Sequence, residues 1–252
     1  MWGGWAALIL AMLMAMGCAV LSGTDQEDEN EKQARWHYEM GTGYFESQDI
    51  THAIRELTMA LEYDPDHADA HYLLGFIYMG RRNHTRAVQH FREALRVDPQ
   101  YHSAKNNLGT VYMAMERWEE AAELFEDLLD EVMYTTPELA HNNLGWSYFH
   151  QGRHSEALEH LRMAVYLSPD MCLAENNKGR VYEATGNERD AERHFRRAID
   201  KCPQSYQEPH FYLGRLLQRR DDDRAAAHFQ RCVEISSSNN LADRCREYLG
   251  VY

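Results

Sequence analysis

The sequence predicts an all-α protein, a right-handed superhelix of six helix-turn-helix repeats finished by a C-terminal capping helix. Three observations predict it. A glycine recurs at Gly41, Gly75, Gly109, Gly145, Gly179 and Gly214, with spacings of 34, 34, 36, 34 and 35. Twelve residues after each of the first five stands an alanine (Ala53, Ala87, Ala121, Ala157, Ala191), and Ala225 lies eleven after the last; four residues beyond each alanine comes Leu57, Phe91, Phe125, Leu161, Phe195 or Phe229. Prolines close the units at Pro65, Pro99, Pro169 and Pro203, and at Pro137 after a two-residue extension of the third. A period of this length marks a stacked helical array, because one hairpin cannot bury its apolar face alone.

The elements follow in chain order. The first 23 residues carry no charged side chain, and Ala6–Met16 form an apolar run bounded by Gly17 and Cys18. Ala15-Met16-Gly17-Cys18 resembles a bacterial lipobox, in which the cysteine thiol takes a diacylglycerol and becomes the new N-terminus. Residues 1–17 are then a lipoprotein signal peptide and Cys18 the lipidation site. Ala15 stands where leucine is usual, and no Lys or Arg precedes the run. An uncleaved anchor is the alternative, since Trp2–Leu21 is roughly 20 residues, enough to span about 30 Å as a helix. Residues 22–33 offer no apolar side chain to bury, so 18–33 read as a lipidated N-terminus and flexible acidic tether.

The repeats run over 34–67, 68–101, 102–137, 138–171, 172–206 and 207–237. Glycine and alanine let two antiparallel helices approach closely. Tyr44, Tyr78, Tyr112, Tyr148 and Tyr182, three after each of the first five glycines, fill the remaining space. Proline ends the second helix by removing an amide donor and disfavouring helical geometry in the residue before it. Leu241, Cys245, Tyr248 and Leu249 share one helical face in a capping helix over 238–252.

With Cys18 lipidated, four of the five cysteines remain, and an exported compartment allows them to pair in three possible ways. Antiparallel packing within repeat five brings Cys172 towards Cys202, and packing of the cap on repeat six brings Cys232 towards Cys245. Cys232 as a plain buried thiol is the alternative.

A net charge of -14, from 40 acidic and 26 basic residues, argues against nucleic acid and favours a protein partner. The first helix of each repeat should line a concave groove, presenting the residues three before and one after each glycine. These are Tyr72 and Phe76 with Met79 a turn later, Asn142 and Trp146 with Phe149, and Arg180 in repeat five. Large aromatics there are candidate anchors for an apolar segment, with packing between repeats as the alternative for Tyr72. The pairs Asn106-Asn107, Asn142-Asn143 and Asn176-Asn177 place poor helix formers inside three helices. Their amides could donate to and accept from the backbone of an extended peptide, or they could stabilise the stack. The 14 histidines, including the i, i+4 pairs His67/His71 and His150/His154, read as scattered solvated side chains with no third metal ligand. No phosphate loop, nucleophile elbow or zinc-protease helix occurs, so no enzyme activity, cofactor or metal is expected.

Over residues 34–237 the Gly/Ala/aromatic/Pro register resembles the tetratricopeptide-repeat (TPR) family. With the lipobox and the absence of another domain, the chain resembles the pilotin family of type IV pilus secretins, the PilF, PilW and Tgl type. The stretch that carries this most directly is Tyr134–Phe149, where an elongated repeat three meets Asn142 and Trp146. The cysteines at 172, 202, 232 and 245 look closer to the Tgl branch. The resemblance implies a lipid-anchored protein on the periplasmic face of the outer membrane. Its partners would be PilQ-like secretin subunits, whose insertion and multimerisation it promotes, along with other pilus assembly proteins. The alternative is a periplasmic lipoprotein adaptor for other envelope-assembly or peptidoglycan machinery. A chaperone of acidic C-terminal tails would need groove lysines, and the chain has only Lys32, Lys105, Lys178 and Lys201.

Overall fold

The computed structural model describes residues 26–250, which form helices and turns with no strand among them. In order these are α1 (26–46), α2 (Ile50–Tyr63), α3 (Ala68–Gly80), α4 (His84–Val97), α5 (His102–Ala114), α6 (Trp118–Asp130), α7 (Pro137–His150), α8 (His154–Leu167), α9 (Cys172–Ala184), α10 (Glu188–Lys201), α11 (Glu208–Gln218), α12 (Ala225–Ile235) and α13 (Asn240–Leu249). The chain divides into two compact units between Val111 and Tyr112, inside α5.

One turn recurs inside the hairpins. The carbonyls of Tyr44, Tyr78, Tyr112, Tyr148 and Tyr182 each accept the backbone N–H five residues on, from Asp49, Asn83, Arg117, Arg153 and Asn187, at 2.9 Å in every case. The residue before each donor is left-handed: Gln48, Arg82, Glu116, Gly152 and Gly186, with φ of 65°, 57°, 58°, 77° and 76°. This is the 6→1 closure that satisfies the orphan carbonyls of a helix end. Asp49, Asn83 and Asn187 then turn their side chains onto the first free amides of α2, α4 and α10. Each such cap is worth about 1 kcal/mol.

The hairpins close on the small-residue contact. A Cβ on Gly75 would stand 2.7 Å from the Phe91 ring, and one on Gly179 2.5 Å from that of Phe195. In unit one, Ala53, Leu57, Leu74, Phe91 and Ala94 are fully buried beneath this contact; in unit two, Phe125, Leu144, Leu161, Phe195, Phe211 and Phe229 are. The last helix covers the end of unit two. Ala242 and Cys245 of α13 are fully buried, and Tyr248 stacks on Phe229 with centroids 4.6 Å apart. Disulfides join Cys172, at the start of α9, to Cys202 just past α10, and Cys232 of α12 to Cys245 of α13.

Three sequence expectations are corrected. Residues 26–33, read as part of a flexible tether, are the opening turns of α1. Pairs four apart hold them, Lys32 with Asp28 at 2.6 Å and Arg35 with Glu31 at 2.9 Å, before Ala34 enters the core. Pro137, read as closing repeat three, instead opens α7, where its missing amide leaves no intrahelical bond unmade. The histidines are not scattered in solvent. His71, His194 and His210 are buried and paired across hairpins, His67 Nδ1 accepts from the Ala70 amide at the start of α3, and His150 stacks on Trp118 at 3.9 Å. Residues 1–17 and Cys18 lie outside the described residues, and no described helix is long and apolar enough to cross a membrane.

Candidate protein-binding groove

In unit two, α7, α9 and α11 bring their site residues together around one guanidinium. The Arg180 Cζ lies 4.2 Å from the Trp146 ring centroid, 4.7 Å from that of Tyr212 and 5.9 Å from that of Phe149. Periodicity explains the convergence. Trp146 and Arg180 each follow the glycine of their repeat, and Phe149 lies one turn beyond Trp146. The aromatics are half-buried and touch one another, Trp146 with Phe149 at 5.0 Å and with His150 at 4.7 Å.

Arg180 stands between two cavities. One, of about 210 Å³, is lined by Asn142, Asn143, Trp146, Asn177, Leu173, Met113 and Glu208 as well as Arg180. The other, of about 460 Å³, is lined by Phe149, Tyr212, Glu183, Arg215 and Arg219 among others. The arginines differ in electrostatic standing. Glu183 sits 2.9 Å from Arg219 and 3.7 Å from Arg215, which partly neutralises both. Arg180 has aromatic faces and no carboxylate at ion-pair distance among the described residues. Burial lowers the His150 pKa, with the Arg180 charge adding to it, and burial raises that of Tyr212. At neutral pH both rings are therefore uncharged, and Arg180 is a permanent cation whose N–H edges are open to an acceptor.

The asparagines divide. Asn177 Nδ2 donates to Asn142 Oδ1 at 3.0 Å, and Asn142 Nδ2 donates to Asn143 Oδ1 at 3.0 Å. Asn176 Nδ2 donates to Tyr206 Oη at 2.9 Å and to Glu208 Oε2 at 3.1 Å. Asn142, Asn176 and Asn177 are buried, which favours the second of the two readings the sequence left open: Asn177 to Asn142 and Asn176 to Glu208 tie neighbouring repeats together, while Asn142 and Asn177 also line the cavity. Among the unit-two asparagines, Asn143 lines the cavity while only half-buried. Unit one carries a separate aromatic surface. Phe76 is 37% exposed and meets Phe45 edge-on at 5.9 Å, with Met79 half-buried a turn later. Tyr72 stacks on Tyr101 at 4.8 Å and accepts from Asn107, which uses it for packing between repeats. Asn106 is half-buried, with its Oδ1 enclosed and unpartnered.

A tetratricopeptide-repeat family model matches residues 38–102, 106–171 and 176–240. The chain belongs to the tetratricopeptide-repeat family. Its TPR hairpins give an all-α superhelical-repeat fold, the class of a protein-binding scaffold. No curated protein matches it in sequence. Among solved structures it is similar to PilW, described as a widely conserved type IV pilus biogenesis factor. The identity there is 20% and the TM-score 0.73, over 84% of this chain and 97% of that one. It is similar to PilF of Pseudomonas aeruginosa at 18% identity and a TM-score of 0.68, over 87% of this chain and 99% of that one. MamA follows at 22% identity and a TM-score of 0.62, over 68% and 92%. These likenesses show the TPR fold alone.

Sequence reasoning missed Tyr212 and Glu183, and set Arg215 beside Arg180 only as a groove cation that a chaperone of acidic tails could use. Arg215 follows Gly214, so the rule that picks Trp146 and Arg180 also picks it. Glu183 lies one turn beyond Arg180 on α9, as Phe149 does beyond Trp146, so the same register reaches it; Tyr212 enters from the neighbouring repeat, which no single-repeat register reveals.

Proposed function

We propose that this TPR protein is a pilotin-type assembly factor, an outer-membrane lipoprotein anchored through Cys18 on the periplasmic face. It binds secretin subunits of the type IV pilus in the unit-two groove and promotes their insertion and multimerisation. The observation that carries the binding role is Arg180, an unpaired cation set against Trp146 and Tyr212 beside the Asn143 amide. Such a site suits an extended segment that offers an apolar side chain to the rings and an acceptor to the guanidinium. Support for the pilus assignment is the near full-length likeness to PilW and PilF, together with the lipobox-like Gly17-Cys18.

The test is removal of the gene, followed by scoring detergent-resistant secretin multimers in isolated outer membranes. The proposal expects multimers to be lost and restored by the wild-type gene. With Cys18→Ala, subunits should accumulate away from the outer membrane. Normal multimer levels without the protein would refute the pilotin role.

A further inference from the structure

Aligning the hairpins reveals a second register that the groove does not use. Four residues before the repeat glycine, and fifteen after it, stand two side chains that meet across the hairpin. In α3/α4 these are His71 and His90, with Nδ1 atoms 3.1 Å apart; in α7/α8, His141 and His160 at 2.9 Å; in α11/α12, His210 and His228 at 3.1 Å, the last one residue closer in sequence. The α9/α10 hairpin replaces one imidazole by a carboxylate, with His194 Nδ1 2.6 Å from Glu175 Oε2. In the first hairpin, His37 meets Glu56 at 2.8 Å. Each pair is buried or half-buried.

A bond between two imidazoles exists only while at least one facing nitrogen is bare. The protons of the first pair can be placed. His71 Nε2 lies 3.1 Å from the Pro65 carbonyl, which can only accept, so Nε2 carries the proton and Nδ1 is bare. His90 Nδ1–H must then be the donor. A proton added to His71 Nδ1 would set N–H against N–H, and one added to His90 Nε2 would leave a charge in a poorly solvated place beneath the stacked Tyr78 ring, 5.5 Å away.

We propose that the three histidine pairs form an acid-sensitive latch, holding the two helices of their hairpins together at neutral pH and loosening them in mild acid. The surroundings favour the neutral state. Burial, then the facing His71, then Arg86 push His90 down to about 4, against a weaker opposing pull from Glu93. Asp66, Glu93 and Arg96 face His71, where burial again leads. Burial and His160 push His141 down to about 4. Around His160 lie Glu159, Glu156 and Arg153 from α8 and its turn, and Glu126 from α6, and burial outweighs the carboxylates. Burial, His228 and Arg231 push His210 down to about 4 against Glu234, while Arg196 of α10, Arg224 and Asp222 face His228.

The sign follows. A histidine held near 4 in the folded protein and titrating at the ordinary 6.5 when unfolded stays uncharged in the fold while the open chain takes up the proton. Stability is therefore full above the unfolded value and is lost as pH falls towards the folded one. At pH 5 each such group shifts its hairpin's opening equilibrium about twenty-fold towards the open form, relative to neutral pH. The latches of α7/α8 and α11/α12 lie in the helices that carry Trp146, Phe149, Tyr212 and Arg215, so the groove would slacken with them.

The experiment is urea unfolding of the full chain at pH 7.5 and pH 5.0, for wild type and for a variant with His71, His90, His141, His160, His210 and His228 all changed to Gln. A glutamine pair can keep a donor and an acceptor without titrating. The expected result is a midpoint that drops in acid for wild type and drops much less for the variant. An equal drop in both would overturn the latch. If the variant does not fold, histidine titration by NMR on wild type decides. His90, His141 and His210 uncharged at pH 5 would support the proposal, and all six titrating near 6.5 in an intact fold would overturn it.

Discussion

The close contact at Gly145 makes a quantitative prediction, because the same substitution should have opposite signs at two helical glycines. A Cβ on Gly145 would lie 2.8 Å from Leu161 Cγ and 2.9 Å from the Ala157 carbonyl oxygen. The leucine tip can rotate away, but the carbonyl belongs to the backbone of α8 and moves only if the hairpin opens. Overpacking of this kind costs about 1–3 kcal/mol, against a helix-propensity gain of up to about 1 kcal/mol for alanine over glycine. Gly145→Ala should therefore destabilise by about 1–2 kcal/mol. Gly43 lies in α1 with nothing within 4 Å of an added Cβ, so Gly43→Ala keeps only the propensity gain and should stabilise by about 0.5–1 kcal/mol. Urea unfolding followed by far-UV circular dichroism measures both. If Gly145→Ala raised stability as Gly43→Ala does, helix approach would not be what places a glycine in each repeat.

Asn177→Ala removes the donor to the buried Asn142 Oδ1, and should cost about 1–3 kcal/mol with the fold retained; an unchanged midpoint would return this asparagine to the role of a free peptide-binding amide. Reducing Cys232–Cys245, which are 13 residues apart, should lower the stability of the α12/α13 end by about 3 kcal/mol and raise hydrogen exchange there first. Exchange unchanged by reductant would show that apolar packing alone holds the cap.

The sequence made the hairpins legible because close helix approach leaves a strict mark: no residue larger than glycine fits opposite Phe91 or Phe195. Turn strain leaves a weaker one. Glycine occupies the left-handed position at Gly152 and Gly186, while Gln48, Arg82 and Glu116 hold the same geometry without it. The 6→1 bond, joined after Gln48 and Arg82 by the caps of Asp49 and Asn83, offsets a local cost of about 1–2 kcal/mol, so the composition there is free to vary. The histidine pairs escaped notice because their partners lie 18 or 19 residues apart, a separation with no local periodicity, and only alignment of whole repeats exposes it. In the groove, Trp146 and Arg180 were legible from their place beside the glycine. For the asparagines the sequence left groove and stack both open, because the contact of Asn177 with Asn142 lies between repeats and leaves no mark within one.

The most direct test of the central claim is calorimetric binding of the purified full chain to a purified type IV pilus secretin subunit, for wild type and for Trp146→Ala with Arg180→Ala. Trp146 and Arg180 form one face of the groove and are half-buried, so the double variant should fold. Wild type should bind, and the variant should lose at least about 2 kcal/mol, roughly thirty-fold in affinity. Equal affinity of the two would contradict the assignment of the groove, and no binding by wild type would contradict the secretin as partner.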